Sequence, residues 1–189
     1  MNKKLSEMTN EELWQLFPIM LAEHNPCWGK WYEDESEFLL DLLSGYGLER
    51  ISHIGSTAVS TIWAKPIVDI LAEISFDADW GKIESLLTDG GYLTMSKEDT
   101  KTSLNKGYTE KGFSEKVFHL HLRQRGDNDE LYFRDYLINN LKIAKEYEQL
   151  KLKLWKKFEH NRNAYTESKT EFIKKYTKKA KELYKGRYD

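Results

Sequence analysis

Cysteine is nearly absent from these 189 residues, for Cys27 stands alone. A single thiol excludes an intrachain disulfide and a cysteine-built zinc cage, and it fits a reducing compartment. Long apolar runs are missing as well. None approaches the roughly 20 residues needed to cross a bilayer, and the polar opening MNKKLSEMTNEE holds no apolar stretch of a secretory signal. A cytoplasmic chain with no membrane partner is the expectation. Proline is scarce, at three residues, and no repeat or low-complexity tract is visible. What is present is core-forming: 40% hydrophobic and 13% aromatic residues are more than a disordered chain carries, despite a mean hydropathy of -0.70. The length suits a single domain over residues 1–189, with a mixed α/β core over about 1–126 and a helical part over about 127–189.

The net charge of -2 hides an asymmetry. Residues 142–189 hold 15 Lys and Arg against 7 Asp and Glu, so the helix-patterned tail is basic and the rest of the chain is acidic. A basic tail attracts phosphate-rich ligands or complements an acidic body. Its plainer reading is a solvated lysine face.

Hydrophobic spacing sets out the elements in order. Thr9 and Glu12 form a capping box ahead of a short helix. Residues 19–21 are apolar and short enough for a strand, and residues 31–43 repeat apolar side chains at helical spacing behind the acidic cluster Glu33, Asp34, Glu35 and Glu37, which suits a helix start. Residues 48–54 and 67–74 read as strands, the second nearly all apolar except for Asp69. Asp77 or Asp79 caps a helix that presents Trp80, Ile83, Leu86 and Leu87 and stops at Gly90-Gly91. A strand follows at 92–95. The polar stretch 96–114 reads as a mobile loop or weak hairpin, and 117–122 as a strand with Phe118, Leu120 and Leu122 on one face and His119 and His121 on the other. Helical spacing covers 129–158, and Asn163 is the expected cap of a last helix.

Chemistry concentrates in two places. His53 to Val59 puts Gly55 and the hydroxyls of Ser56 and Thr57 between a strand and a short helix, where backbone approaches an anion closely and free N–H groups meet phosphate oxygens. Taken alone, a Gly-Ser turn is more often only a turn. Twelve residues separate Ser56 from Asp69, and an ionised carboxylate inside an apolar strand costs several kcal/mol (~) unless a cation or donors compensate it. Same-face histidines two residues apart, His119 and His121, converge on one ion, on phosphate oxygens or on solvent. Lys65, Arg123, Arg125 and Arg134 are candidates for a phosphate rim. Arg134 and its neighbour Asp135 stand at successive positions and so on different helix faces, which gives no ground to assume that they pair. The aromatics Trp155, Phe158, Tyr165, Phe172 and Tyr176 suit helix packing better than base stacking, so nucleic-acid binding has no support.

The Gly-Ser turn followed by a carboxylate-bearing strand resembles the nucleotidyltransferases related to DNA polymerase beta. A closer resemblance is to the GrpB family, over nearly the whole chain. It is carried by HIGSTAV at 53–59, AKPIVDIL at 64–71, HLHL at 119–122, FRDYL at 133–137 and AYTESKTEFI at 164–173. One departure is Ser60-Thr61-Ile62-Trp63, where family members usually read Pro-Gly-Leu.

The resemblance implies a nucleotidyltransferase-like mixed sheet flanked by helices, an α/β (α+β) fold with a helical C-terminal region. It also implies transfer of a nucleoside monophosphate from a nucleoside triphosphate to an unknown acceptor, with a divalent metal, magnesium or manganese, on the triphosphate. Residue by residue, Asp69 and Ser56 become the catalytic candidates, and Gly55, Ser56, Thr57, Lys65, His119, His121, Arg123 and Arg134 the ligand-binding ones. Asp69, His119 and His121 form the candidate metal set, and ligation by both imidazoles would favour a transition metal over magnesium. The second carboxylate of active enzymes is missing, because its position is Leu71. Glu73 is no substitute: four residues of strand place it about 13 Å from Asp69, and an exposed strand-end acid is the expectation. The competing expectation is a catalytically inactive protein that retains the fold and binds a nucleotide or another phosphorylated small molecule. Oligomeric state is left open.

Overall fold

Strand β2 (Val68–Ile74) organises the layers, because its nearly unbroken apolar run is covered on both faces. In this computed structural model, which describes residues 3–189, β2 lies inside a five-stranded sheet of order β1-β2-β5-β4-β3. The other strands are β1 (Leu48–Ile54), β3 (Leu93–Glu98), β4 (Lys101–Thr109) and β5 (Gly112–Gln124). Only β2 and β5 run parallel, so the sheet is mixed. Val68, Ile70 and Ala72 lie in register with Phe118, Leu120 and Leu122, and this face forms the main core with α2 (Cys27–Leu42) and α3 (Trp80–Asp89) through Trp28, Leu39, Ile83 and Leu87. The opposite face carries Asp69, Leu71 and Glu73. It is roofed by α4 (Asp129–Asn139), α5 (Leu141–Phe158), α6 (Arg162–Glu167) and α7 (Thr170–Leu183), of which α4 packs against α7 and meets β1. The expected α/β fold with a helical C-terminal region is the one observed. Among the described residues no helix is long and apolar enough to cross a membrane.

Local signals explain many of the boundaries. The Thr9 hydroxyl accepts from the Glu12 N–H and the Glu12 carboxylate answers to the Thr9 N–H, which starts α1 (Asn10–Leu16). Asp79, not Asp77, caps α3 by accepting from the Lys82 N–H at 2.9 Å. Helix α2 begins at Cys27, where the Asn25 carboxamide accepts the Cys27 N–H, so the acidic cluster 33–37 lies mid-helix rather than at its start.

Four expectations need correction. Of the two readings of 96–114 the hairpin is the one observed, since residues 101–109 are a strand paired antiparallel with β5 rather than a mobile loop. The segment reads as polar because one face, Ser103 and Asn105, lies beside His121 and His119 in register, while Thr102 and Leu104 turn into the core. Its irregularity sits at Gly107, whose φ is 91° and where a Cβ would meet the Lys116 carbonyl at 2.3 Å. Residues 19–21 form no strand, since only the bridge Ala22–Ala64 is made nearby and Ile19 packs instead on Leu154 and Tyr165. The tail ends in two helices, and it is Asn161, not Asn163, that caps α6 by accepting the Ala164 N–H.

Glu73 is the fourth, at 1% exposure. The turn after β5 folds back over the strand end, so its carboxylate accepts from Arg50 (2.9 Å), the Gly126 N–H (2.9 Å) and the Asn128 amide (3.1 Å). Such a group is costly to leave unpaired and useful when fully bonded. Replacing Glu73 with alanine is expected to cost about 2–4 kcal/mol in urea unfolding, where an exposed acid would cost less than about 0.5 kcal/mol.

Candidate functional site

Register brings the sequence candidates together. Ile54 at the end of β1 pairs with Asp69, Asp69 pairs with His119, and Leu71 pairs with His121, so the Gly-Ser turn, the lone acid and both histidines meet on one face. Asp69 Oδ1 lies 3.2 Å from His119 Nδ1 and 3.4 Å from His121 Nε2. The remaining partners set the tautomers. Arg123 approaches His121 Nδ1 at 3.4 Å, and a guanidinium only donates, so the proton of His121 sits on Nε2 and points at Asp69. His119 donates through Nδ1 and accepts the Tyr108 hydroxyl at Nε2 across 2.7 Å. Burial alone would push the Asp69 carboxyl up, but hydrogen bonds from the two imidazoles, joined by their charge once acid protonates them, outweigh it and hold the group well below the usual carboxylate range. Burial also lowers His119, which stays neutral at pH 7 as a donor.

Gly55 makes this approach feasible. Its φ of 70° and ψ of -170° belong to a region that is essentially glycine's alone, and a Cβ there would lie 2.4 Å from Asp69 Oδ2. Changing Gly55 to alanine is expected to cost about 1–3 kcal/mol by urea unfolding and to drive the Asp69 carboxylate away from the turn. In the 3-10 turn Ser56–Ala58 that follows, Thr57 is buried and its hydroxyl meets His53 Nε2 at 2.9 Å. His53 is stacked on Tyr32 and lowered to about 4, chiefly by burial. Ser56 Oγ accepts from Lys151 Nζ at 2.9 Å, which leaves the hydroxyl proton free for a ligand.

These groups line a cavity of about 910 Å3 between the sheet and the C-terminal helices. Nine of its lining side chains are cationic against four acidic ones, so its potential favours anions. Four cations lie close to the Asp69 end: Lys65, Lys151, Arg162 and Lys169. On the same helices Lys145 pairs with Glu148 and Lys181 with Asp129, yet none of these four has a carboxylate at ion-pairing distance among the described residues. Lys151 is 2% exposed and donates only to Ser56 Oγ and the Trp63 carbonyl. Lys65 and Lys169 lie over the ring of Tyr165, whose buried hydroxyl has no partner. Burial first, and repulsion by neighbouring cations after it, lowers Lys65 and Lys151 to about 7; burial lowers Lys169 to about 8.

Two expected rim residues do other work. Arg123 stays outside the cavity, donating to the carbonyls of Leu122 and Thr102 and supporting His121 from behind. Arg125 pairs with Glu49 at 3.0 Å. Arg134 lines the cavity but is spent on the fold: it donates to the His53 carbonyl just before Gly55, to Tyr188 and, through Nε and a terminal nitrogen, to Asp135 Oδ1. Arg134 and Asp135, whose successive positions gave no ground to assume a pair, therefore do pair. The long side chain curls back across one peptide unit, and Arg187 with Tyr188 completes the ring around the carboxylate.

Among the described residues, no group of three or more His, Cys, Asp or Glu side chains is arranged to hold a metal ion. The imidazole protons occupy the directions from which His119 and His121 could ligate, so the trio as formed is a hydrogen-bonded carboxylate rather than a three-donor cage. Asp69 alone suits magnesium, which commonly takes one or two carboxylates and completes its shell with phosphate oxygens and water.

Comparison with known proteins places this geometry among relatives. The family model described as GrpB protein matches residues 18–179. The UPF0157 protein YqkA of Bacillus subtilis is 31% identical over 181 residues, covering 93% of this chain, which in turn spans only 52% of that protein's length. The glutamate-rich protein GrpB of Alkalihalophilus pseudofirmus is 34% identical over 161 residues, with 82% of this chain and 91% of that protein covered. The crystal structure of conserved protein GrpB from Enterococcus faecalis superposes with a TM-score of 0.74 at 30% identity, covering 87% of this chain and 99% of that one.

Proposed function

The chain belongs to the GrpB family, and from that footing we propose that it is a nucleotidyltransferase that moves a nucleoside monophosphate from a nucleoside triphosphate to an acceptor. The observation that carries the reading is the set of four cations without carboxylate partners, Lys65, Lys151, Arg162 and Lys169, beside a glycine turn and a half-buried acid, Asp69. Unpaired, desolvated cations are costly. A triphosphate supplies the negative charge such a cluster calls for, and about 910 Å3 is ample for one.

In the transfer the acceptor's oxygen or nitrogen forms a bond to the α-phosphorus and loses its proton to water while the bond to the pyrophosphate oxygen breaks, and pyrophosphate leaves with that electron pair. Gly55 and Ser56 position the phosphates, and the four cations hold the charge that gathers on the departing pyrophosphate. Magnesium or manganese would arrive with the nucleotide on Asp69, neutralising phosphate charge. A transition metal on both histidines would require His119 Nδ1 and His121 Nε2 each to give up the proton now donated to Asp69, and so belongs to the same proposal only as a competing occupant.

Leu71 favours a second reading. It packs against Ile54 and Leu131 where active enzymes hold another acid, and a protein without that acid could retain nucleotide binding after losing turnover. The deciding assay is pyrophosphate release from each ribonucleoside triphosphate with magnesium and then manganese, plus a pooled metabolite extract as acceptor source. Release that depends on the extract supports transfer; saturable nucleotide binding with no release supports the binding protein.

A further inference from the structure

We propose that a second, smaller cavity is the acceptor subsite, and that it takes a single aromatic or heteroaromatic ring system bearing an anionic group. This cavity, of about 220 Å3, lies against the large one and shares Lys65, Ile67 and Arg162 with it. The rest of its wall is largely apolar. Phe17, Tyr108 and Phe113 form a mutual cluster with ring centroids 4.8–5.2 Å apart, and Met20 and Pro66 extend it.

Size selects the occupant. About 220 Å3 is below the roughly 300 Å3 at which pockets for drug-sized ligands begin, so the cavity holds one ring system and not a nucleotide. The large cavity has room for an entire nucleoside triphosphate, so the base need not leave it. Aromatic walls prefer a flat partner in offset or edge contact. Charge selects the substituent. Lys65 and Arg162 line both cavities without a carboxylate partner, against one acid in the small cavity, the exposed Glu115, so they meet an anionic group from the small-cavity side while Lys151 and Lys169 hold the phosphates in the large one.

Position ties the subsite to the reacting centre. The ring of Tyr108 lines the small cavity, while its hydroxyl donates to His119 Nε2, and His119 lines the large cavity with Asp69. A ring seated against Tyr108 therefore holds its substituents within one side chain of the Asp69 pair. An acceptor is called for only by the transferase reading on which this inference rests, whereas affinity for an anionic ring is independent of it.

The test uses naphthalene-2-sulfonate, a fluorescent dye of one fused ring system bearing one anionic group, with binding followed by its fluorescence and by calorimetry. Ser114 and Met20 are exposed and both line the small cavity, so Ser114→Trp or Met20→Trp plugs it without disturbing the core, and a thermal melt verifies folding. Expected is saturable binding that survives saturating inorganic tripolyphosphate and weakens about 10- to 100-fold in either plugged variant, the loss that accompanies turning a buried ring out into water. Displacement by tripolyphosphate with no effect of either plug would place the dye in the large cavity and overturn the proposal, as would absence of binding. Displacement by ATP but not by tripolyphosphate would mean that the small cavity takes the nucleobase, and would overturn the acceptor assignment. Failure of ATP and tripolyphosphate to bind at all would remove the transferase reading, and with it the acceptor role, while plug-sensitive dye binding would still establish the ring site.

Discussion

Asp69→Asn is expected to reduce pyrophosphate release on the order of 10³-fold while leaving the fold intact, a loss comparable to removing a single preorganised electrostatic partner from an active site. The fold survives because both histidines donate to Oδ1, and the carboxamide oxygen of asparagine accepts the same two hydrogen bonds. What disappears is the negative charge. Without it, Asp69's share in lifting the lysine pKa values is lost and a divalent ion has no protein carboxylate in the turn. Binding of tripolyphosphate without metal should change little or tighten, since one repulsive charge has left the cavity. Calorimetry for binding and a coupled pyrophosphate assay for turnover separate the two effects. If natural and substituted proteins bind nucleotide equally and neither releases pyrophosphate, the transferase reading falls and the binding-protein reading stands.

The outline of this site was legible because parity along a strand is legible. An acid inside the apolar run 67–74 and two histidines alternating with Phe118, Leu120 and Leu122 declare which face each belongs to. That β2 and β5 are neighbours and parallel is a tertiary choice, and only it turns shared parity into a 3.2 Å contact. Strand β4 was legible only as one side of a loop-or-hairpin alternative for the complementary reason: its inner residues opposite the histidines are serine and asparagine, so it lacks the apolar alternation that marks a strand.

The cationic wall was the larger omission. Lys151 stands at a core-facing position of α5, in line with Ala144, Tyr147 and Leu154 at helical spacing, and a lysine in an apolar stripe is a readable anomaly. Lys169, at the break between α6 and α7, has no such periodic signal. Arg123 illustrates the reverse error, since a basic residue next to a histidine pair looked like a ligand contact and proved to be a prop for His121.

Charge at Lys65, Lys151 and Lys169 makes anion affinity depend on pH in a direction opposite to apo stability. Each amine has a folded-state value of about 7 to 8, against roughly 10.4 in an unfolded chain. Between those limits the unfolded chain binds more protons than the native one, so stability of the free protein rises as pH climbs from about 7 to 10. Phosphate oxygens require the protonated amines, so tripolyphosphate affinity falls over the same rise. Replacing Lys151 with methionine removes the charge while keeping the length of the stem. It should weaken tripolyphosphate about 10- to 100-fold, as expected for losing a charge-assisted hydrogen bond, while raising the thermal midpoint of the free protein because a desolvated cation has left the interior. A Lys151→Met, Lys169→Met double variant should lose about 10²- to 10⁴-fold and flatten the pH dependence, which separates titration of the amines from titration of the ligand. Calorimetry across pH 6 to 9 and melts with and without tripolyphosphate read both quantities. Unchanged affinity in the double variant would show that these lysines do not face the anion. A lower thermal midpoint would show that they stabilise the free protein, and the cations would then no longer need a triphosphate to account for them.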